Sequence, residues 1–481
     1  MTININLKEK YTMKRRAFFK NGTLAALGGL VLPSFDLQAQ TLGEANRGKR
    51  TKNIIFLVSD GMSTGTMVMA DLYLKRKYGR PSSWMDLYES NLGQRALMDM
   101  ASASSVVTDS SAASSSWGGG VRVNNGSLNI SPNGKENMPI LQKFKKAGKK
   151  VGCITTVMIN HATPAGFCTW SKSRNAMDEI ALNYTELGFD VMLGGGSKYF
   201  DPAHRKDKKD LFDTLKKKGY TVARTRNEML KAPTNKPLYG MFAEEALPYS
   251  IDRAQSSEDQ AAIPTLAEMT AKAIEQLKSH PNGFVIQVEG GKVDWAAHGN
   301  DIGALLYDQV AFDEAVKVAL DFAKADGNTL VVITSDHGNA NPGLIYGKEC
   351  NNNFDRLQNF THSNDWILQQ INPNDSIDKV REHIAQHCGG MNINEEQAKE
   401  LLAYYAKTER KEDGLYNYKH LPYRLFAEIQ KGHTSVGWIS MDHSSDYTEL
   451  GMYGPGSEKL KPFMRNTDMH KFLLEVAEVS L

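Results

Sequence analysis

The chain has 481 residues, 41% hydrophobic and 23% charged, proportions that fit a folded globular protein and exclude a disordered one. Fifty-seven Lys and Arg against 55 Asp and Glu leave a formal charge of +2, so the basic footprint of a nucleic-acid binder is absent. Cys153, Cys168, Cys350 and Cys388 are too few and too scattered for a disulfide framework and form no CxxC zinc pattern, although one or two bridges stay open in an oxidising compartment.

In chain order, the first segment reads as an export signal. Lys14-Arg15-Arg16-Ala17-Phe18-Phe19-Lys20 resembles the twin-arginine motif, and a mildly apolar run over residues 24–32 follows, ending at Pro33. That run is far shorter than the roughly 20 apolar residues of a membrane span. The expectation is a removable signal over residues 1–39, cut near Ala39-Gln40, with 1–12 an extra leader before Met13. A cytoplasmic protein with a basic leader is the competing reading. The signal predicts a periplasmic or extracellular protein exported by the twin-arginine route, and no later apolar stretch approaches a span.

Beyond the linker, apolar runs alternate with amphipathic stretches. Asn53–Ser59 (NIIFLVS) is continuous, apolar and β-branched, the pattern of a buried strand. Lys150–Met158, residues 190–193, residues 284–288 and Thr329–Thr334 read likewise. Helical periodicity covers 178–187, 207–218, 263–278 and 304–325. The alternation predicts an α/β fold, with a large, mostly parallel sheet sandwiched by helices. Residues 343–431 break the rhythm, being polar and strand-free with helical patterns at 377–386 and 395–407. They read as a helical crown or cap inserted between two pieces of a catalytic domain, 40–342 and 432–481. The aromatic and charged stretch 404–423 reads as its solvated surface.

Chemistry collects at the carboxyl ends of the predicted strands, where open parallel sheets place their ligands. Asp60 ends the first strand, Glu289 ends FVIQV, and Asp336-His337 ends TLVVITS. Any one of these has a bland reading as a helix cap, but the set points to metal. Asp294 and His298, four apart, share a helical face and can grip one cation. Ser110 lies in the small-residue segment Thr108-Asp109-Ser110-Ser111-Ala112-Ala113, where a helix N-terminus would supply a positive dipole and free N–H groups to a phosphate. Taken alone, that segment reads better as tight packing or a flexible stretch.

In order along the chain, these residues resemble the alkaline phosphatase family from about residue 53 to the end, with the crown matching poorly. Residues 53–62 (NIIFLVSDGM) look like the family's first strand and bridging aspartate. Residues 108–113 (TDSSAA) look like the nucleophile motif and put the attacking hydroxyl on Ser110, although Ser114 and Ser115 depart from the usual small Gly/Ala and Thr. His161-Ala162-Thr163-Pro164-Ala165 resembles the segment carrying the magnesium-site hydroxyl, and Arg174 falls at the phosphate-clamping arginine. Residues 287–298 (QVEGGKVDWAAH) carry Glu289, Asp294 and His298 in register, and Asp336-His337 matches the second zinc pair. His443 and His433 compete for the last zinc ligand, and the downstream Tyr453-Gly454-Pro455 favours His443.

The resemblance implies hydrolysis of phosphate monoesters through a phosphoserine, at two Zn2+ and one Mg2+. Asp294, His298 and His443 would hold one zinc, and Asp60, Asp336 and His337 the second, roughly 4 Å apart. Asp60, Thr163 and Glu289 would hold Mg2+. Arg174 would clamp two phosphate oxygens, with Asp109 orienting it. His161 stands where some members have Asp, which favours Zn2+ or Co2+ at the third site. Trp295 stands where some have a substrate-side Lys, which implies weaker product binding. Many members are dimers, which allows a homodimer here. The alternatives are a phosphodiesterase of the same superfamily and a non-catalytic zinc- or phosphate-binding exported protein. A sulfatase is excluded, because no CxPxR run occurs. His383, His387 and Cys388 have helical metal spacing but read as ordinary crown residues.

Overall fold

The computed structural model describes residues 50–407, 417 and 419–480. The predicted twin-arginine signal lies outside the described residues, and no helix among them is long and apolar enough to cross a membrane.

Ten strands form the main sheet: β1 (Asn53–Ser59), β2 (Gln94–Asp99), β3 (Lys150–Met158), β4 (Val191–Gly195), β5 (Thr221–Ala223), β6 (Leu238–Met241), β7 (Phe284–Gly290), β8 (Thr329–Thr334), β13 (Thr448–Tyr453) and β14 (Phe463–Arg465). Four two-residue strands, β9 (Gly338–Asn339), β10 (Gly343–Leu344), β11 (Val436–Gly437) and β12 (His443–Ser444), form two small ladders. The main order is β14-β2-β13-β8-β1-β7-β3-β4-β6-β5. β13 alone is antiparallel to its neighbours, and every other pairing is parallel. The sheet is therefore the large, mostly parallel one that the alternation predicts.

Strand β1 shows why apolar runs become central strands. Alternate side chains point to opposite faces: Ile55 and Leu57 join one hydrophobic cluster, while Ile54, Phe56 and Val58 join the other. Both clusters are capped by helices, so all five positions are occupied by apolar side chains. The strands the sequence pattern does not disclose, β2, β5, β6, β13 and β14, lie towards the edges. They are short, and β2 and β13 alternate exposed or half-buried residues with buried ones.

Predicted helix bounds shift by a few residues. The helix expected over 207–218 is Leu211–Lys217, capped by Asp210, whose side chain accepts from the Asp213 amide. Asp207 instead pairs with the buried Arg205 guanidinium.

The inserted segment is closed at its base by the antiparallel β10–β11 ladder, Gly343 opposite Gly437 and Leu344 opposite Val436. Its described part is helical. Phe354, Leu357, Ile367, Leu401 and Phe426 belong to the same hydrophobic cluster as Ile55 of the central strand, so it shares the main core. The reading of 404–423 as solvated surface is corrected at its described ends. Tyr404 and Tyr405 are buried, the Tyr405 hydroxyl donating to Leu368 O at 2.7 Å. The Tyr423 hydroxyl donates to Asp365 at 2.6 Å. Amphipathic rings on a helix pack their bodies inward and satisfy the phenol locally. All four cysteines are free, with the buried Cys153 and Cys168 sulfurs 3.4 Å apart.

Candidate active site and metal centres

Parallel neighbours β3, β7, β1 and β8 end side by side, and their carboxyl ends carry the chemistry. Asp60 follows β1, Glu289 lies near the end of β7 in register with Val58 and Thr155, and Asp336-His337 follows β8. Asp60, Glu289, Asp336 and His337 are each 0% exposed. The helix Lys292–His298 follows β7 directly and presents Asp294 and His298 from one face. His443 comes from far along the chain and is brought in by β12, where it lies opposite Asn339 of β9.

Three ligand groups converge: Asp294, His298 and His443; Asp60, Asp294 and His337; and Asp60, His161 and Glu289. Asp336 borders the second, its Oδ2 lying 3.2 Å from His337 Nε2. The Thr163 hydroxyl approaches Asp60 Oδ2 at 3.4 Å and so adjoins the third. His433, the competing histidine, stays on the helix Tyr423–Thr434.

The donor chemistry fits cations. His298 Nδ1 faces Met441 O at 2.7 Å, His443 Nδ1 faces Thr108 O at 2.9 Å, and His337 Nδ1 faces Gly338 O at 3.2 Å. A carbonyl can only accept, so each Nδ1 carries the proton and each Nε2 keeps a lone pair aimed into the cluster. Two such nitrogens, of His298 and His443, stand 3.1 Å apart. Asp60 Oδ1, Asp336 Oδ2, Glu289 Oε1 and His161 Nδ1 are buried without any hydrogen-bond partner. Burial, then Asp336, Asp294 and Glu289, raises the Asp60 carboxyl well above its ordinary range. Burial likewise lowers the His337 and His443 imidazoles to about 4. Four carboxyl groups buried beside the His337 and His443 imidazoles, which burial keeps neutral, favour the addition of positive charge at this cluster.

Ser110 is the first residue of the helix Ser110–Gly118, with Asp109 as its cap, accepting from the Ala112 amide at 2.9 Å. Ser110 Oγ lies 3.2 Å from His337 Nε2, at the edge of the second ligand group. Arg174 reaches the same place from a loop, donating to Asp109 Oδ2 at 3.0 Å and lying 3.3 Å from His161 Nε2. Burial tends to raise the Asp109 carboxyl, but the Arg174 guanidinium and the capping amide outweigh it and hold it low. The Trp295 ring stands edge-on to His161, centroids 6.2 Å apart, and walls the cleft of about 770 Å³ beyond Arg174.

The departures at Ser114 and Ser115 are absorbed by hydrogen bonds. Ser114 Oγ donates to Ala162 O at 3.1 Å across the helix contact, and Ser115 Oγ accepts the Asn129 amide at 2.9 Å. Two supporting residues escaped the sequence reading. Asn339 Nδ2 donates to Asp294 Oδ1 at 2.7 Å, and the Thr155 hydroxyl donates to Glu289. Such partners orient ligands. The first lies two residues past His337, and the second appears only once the β3–β7 register is known.

Comparison with known proteins agrees with this geometry. A family model described as alkaline phosphatase matches residues 51–479. Alkaline phosphatase 4 of Bacillus subtilis (strain 168) is 28% identical, covering 96% of this chain and 99% of its own length. Alkaline phosphatase 3 of that organism is 31% identical over 89% of this chain and 90% of its own. The crystal structure of Thermus thermophilus alkaline phosphatase superposes with a TM-score of 0.81 at 31% identity, covering 94% of this chain and 96% of that one. With a family model matched over residues 51–479 and the fold shared with a solved alkaline phosphatase, the chain belongs to the alkaline phosphatase family, whose members are phosphatases.

Proposed function

We propose that this phosphatase hydrolyses phosphate monoesters through a covalent phosphoserine at Ser110. The observation that carries the reading is the position of Ser110 Oγ, 3.2 Å from His337 Nε2 at the start of a helix and beside three converging ligand groups. Asp294, His298 and His443 would hold one Zn2+, and Asp60, Asp336 and His337 a second. Asp60, Thr163 and Glu289 would hold Mg2+, with His161 turning that site towards Zn2+ or Co2+. When bound, these ions supply Lewis acidity and charge neutralisation for attacking and leaving oxygens.

The residues perform the rest. Arg174 grips two non-bridging oxygens with its planar fork, held in orientation by Asp109. The amides at the start of the Ser110 helix favour the anion's charge. Ser110 Oγ, its proton passed to solvent, attacks phosphorus in line, and the bond to the alcohol oxygen breaks as that oxygen takes a proton from solvent. Water then attacks the phosphoserine, the P–Oγ bond breaks, and inorganic phosphate leaves as Ser110 regains a proton. Residues 343–431 act as a crown on the catalytic domain, and residues 1–39 as the export signal that delivers it outside the cytoplasm.

The test is hydrolysis of an aryl phosphate monoester against its bis-aryl diester at alkaline pH, with and without chelator, in wild type and Ser110→Ala. Chelator-sensitive monoesterase activity that collapses in Ser110→Ala is expected. Preference for the diester, or undiminished activity of the variant, would refute the specificity or the nucleophile.

A further inference from the structure

The cleft beyond Arg174 continues past His161 and Trp295 to side chains that the proposed chemistry does not use. Lys292, at the start of the helix Lys292–His298, lines this cleft together with Tyr249, Asp365, Lys419 and Tyr423. Lys292 is 6% exposed. Its ammonium sits 3.6 Å from the centroid of the Tyr249 ring and 4.7 Å from that of Trp295. Among the described residues it has no hydrogen-bond acceptor and no ion pair through that ammonium.

The carboxylates that act on Lys292 at longer range are Asp308, Asp365 and Asp252, and each is engaged elsewhere. Asp308 accepts the amide and hydroxyl of Ser250, both at 3.0 Å. Asp252 accepts the amide and hydroxyl of Ser363 at 2.8 and 2.7 Å. Asp365 accepts Tyr423 and Lys419, both at 2.6 Å. Aromatic faces stabilise a cation without consuming its N–H bonds. A nearly buried ammonium with three donors and no acceptor is costly unless something completes it, and the open side is the substrate cleft.

We infer that Lys292 is a specificity residue that binds a second anionic group, a carboxylate or a second phosphate, on the alcohol portion of the substrate. The inference rests on the reading of Ser110 and Arg174 as the reacting end. A neutral hydroxyl can also accept from Lys292, but a charged acceptor gains a charge-assisted bond worth roughly twice as much. Tyr249 and Trp295 would flank the linker between the two anions.

The experiment uses the metal-loaded full chain near neutral pH. It compares kcat/KM for ω-carboxyalkyl phosphates with that for ω-hydroxyalkyl phosphates of matched, increasing length, in wild type, Lys292→Met and Lys292→Arg. At the length that spans the cleft, wild type should favour the carboxylate by about tenfold, the scale of one hydrogen bond to a charged group. The methionine variant should lose that preference and the arginine variant should keep it. Equal ratios in wild type and Lys292→Met at every length would overturn the inference, as would an equal loss on both series. A second measurement needs no variant. Alkane bisphosphonates should inhibit aryl phosphate turnover by wild type more tightly than alkyl monophosphonates, and equal potency would overturn the inference. Absence of aryl phosphate turnover in wild type would instead defeat the proposed function.

Discussion

Replacing Gly166 by alanine tests whether the close contact between two helices positions the reacting serine. The helices Ser110–Gly118 and Ala162–Cys168 touch through glycines. A Cβ on Gly118 would stand 1.9 Å from Gly166 O. A Cβ on Gly166 would stand 2.1 Å from Ser114 Oγ, 2.7 Å from Ser114 Cβ and 2.9 Å from its carbonyl carbon. Rotating Ser114 removes only the first contact. Non-bonded carbons prefer about 3.5–4.0 Å, so the helices must separate by roughly 1 Å. Overpacking of this kind costs about 1–3 kcal/mol.

Ser110 lies one turn before Ser114, and Thr163 belongs to the opposing helix, so the separation moves the proposed nucleophile relative to the ligand cluster. A misplacement of about 1 Å can reduce turnover by around 10²-fold. Thermal unfolding of the metal-loaded protein, with kcat and KM for an aryl phosphate, should show a lower Tm and a loss mainly in kcat. Adding Ser114→Gly removes the hydroxyl and Cβ contacts but not the one to the backbone carbon, so a double-mutant cycle should show partial recovery. A Gly166→Ala protein with wild-type Tm and kcat would refute the reasoning.

Chelation should abolish turnover and lower Tm, because the four clustered carboxylates are then left uncompensated. A ligand at 1,000 times its Kd contributes about 4 kcal/mol, and restoring zinc and magnesium should restore both, as calorimetry and activity would show. Thr155→Val removes the hydroxyl that donates to Glu289. It should weaken metal affinity at that group by about 10- to 100-fold, seen by metal titration as well as by activity. His470 donates from Nδ1 to Trp117 O at 2.7 Å and receives Lys143 at 2.8 Å. Burial, and then Lys143, lowers it from 6.5 to about 4. Its folded value lies below its unfolded one, so the stability is present above about pH 6.5 and lost as pH falls through about 4, on the order of 3 kcal/mol. His470→Gln should flatten that acid limb in denaturant unfolding of metal-free protein, and identical limbs would count against the assignment.

Most of the central sheet was legible, because β1, β3, β7 and β8 are buried on both faces and therefore mostly apolar. The edge strands were not, since β2 and β13 face solvent in part and their pairing depends on segments hundreds of residues apart. In the site, Asp60, Glu289, Asp336 and His337 were legible because each terminates an apolar run. Choosing His443 over His433 required a motif, and it is the β12–β9 ladder that brings His443 against the other histidines.

The sequence by itself determined the α/β class and the residue types that could bind metal, since burial on both faces and a polar end to each strand are local properties. Only the tertiary structure decided which ligand-type side chains converge, that Asp294 belongs to two such groups, and that His161 joins Asp60 and Glu289. It also decided that Thr155 serves Glu289 and that Lys292 faces the cleft without an acceptor. These are distances between atoms on different strands and helices, and a linear pattern fixes the direction of a side chain but not the neighbour it meets.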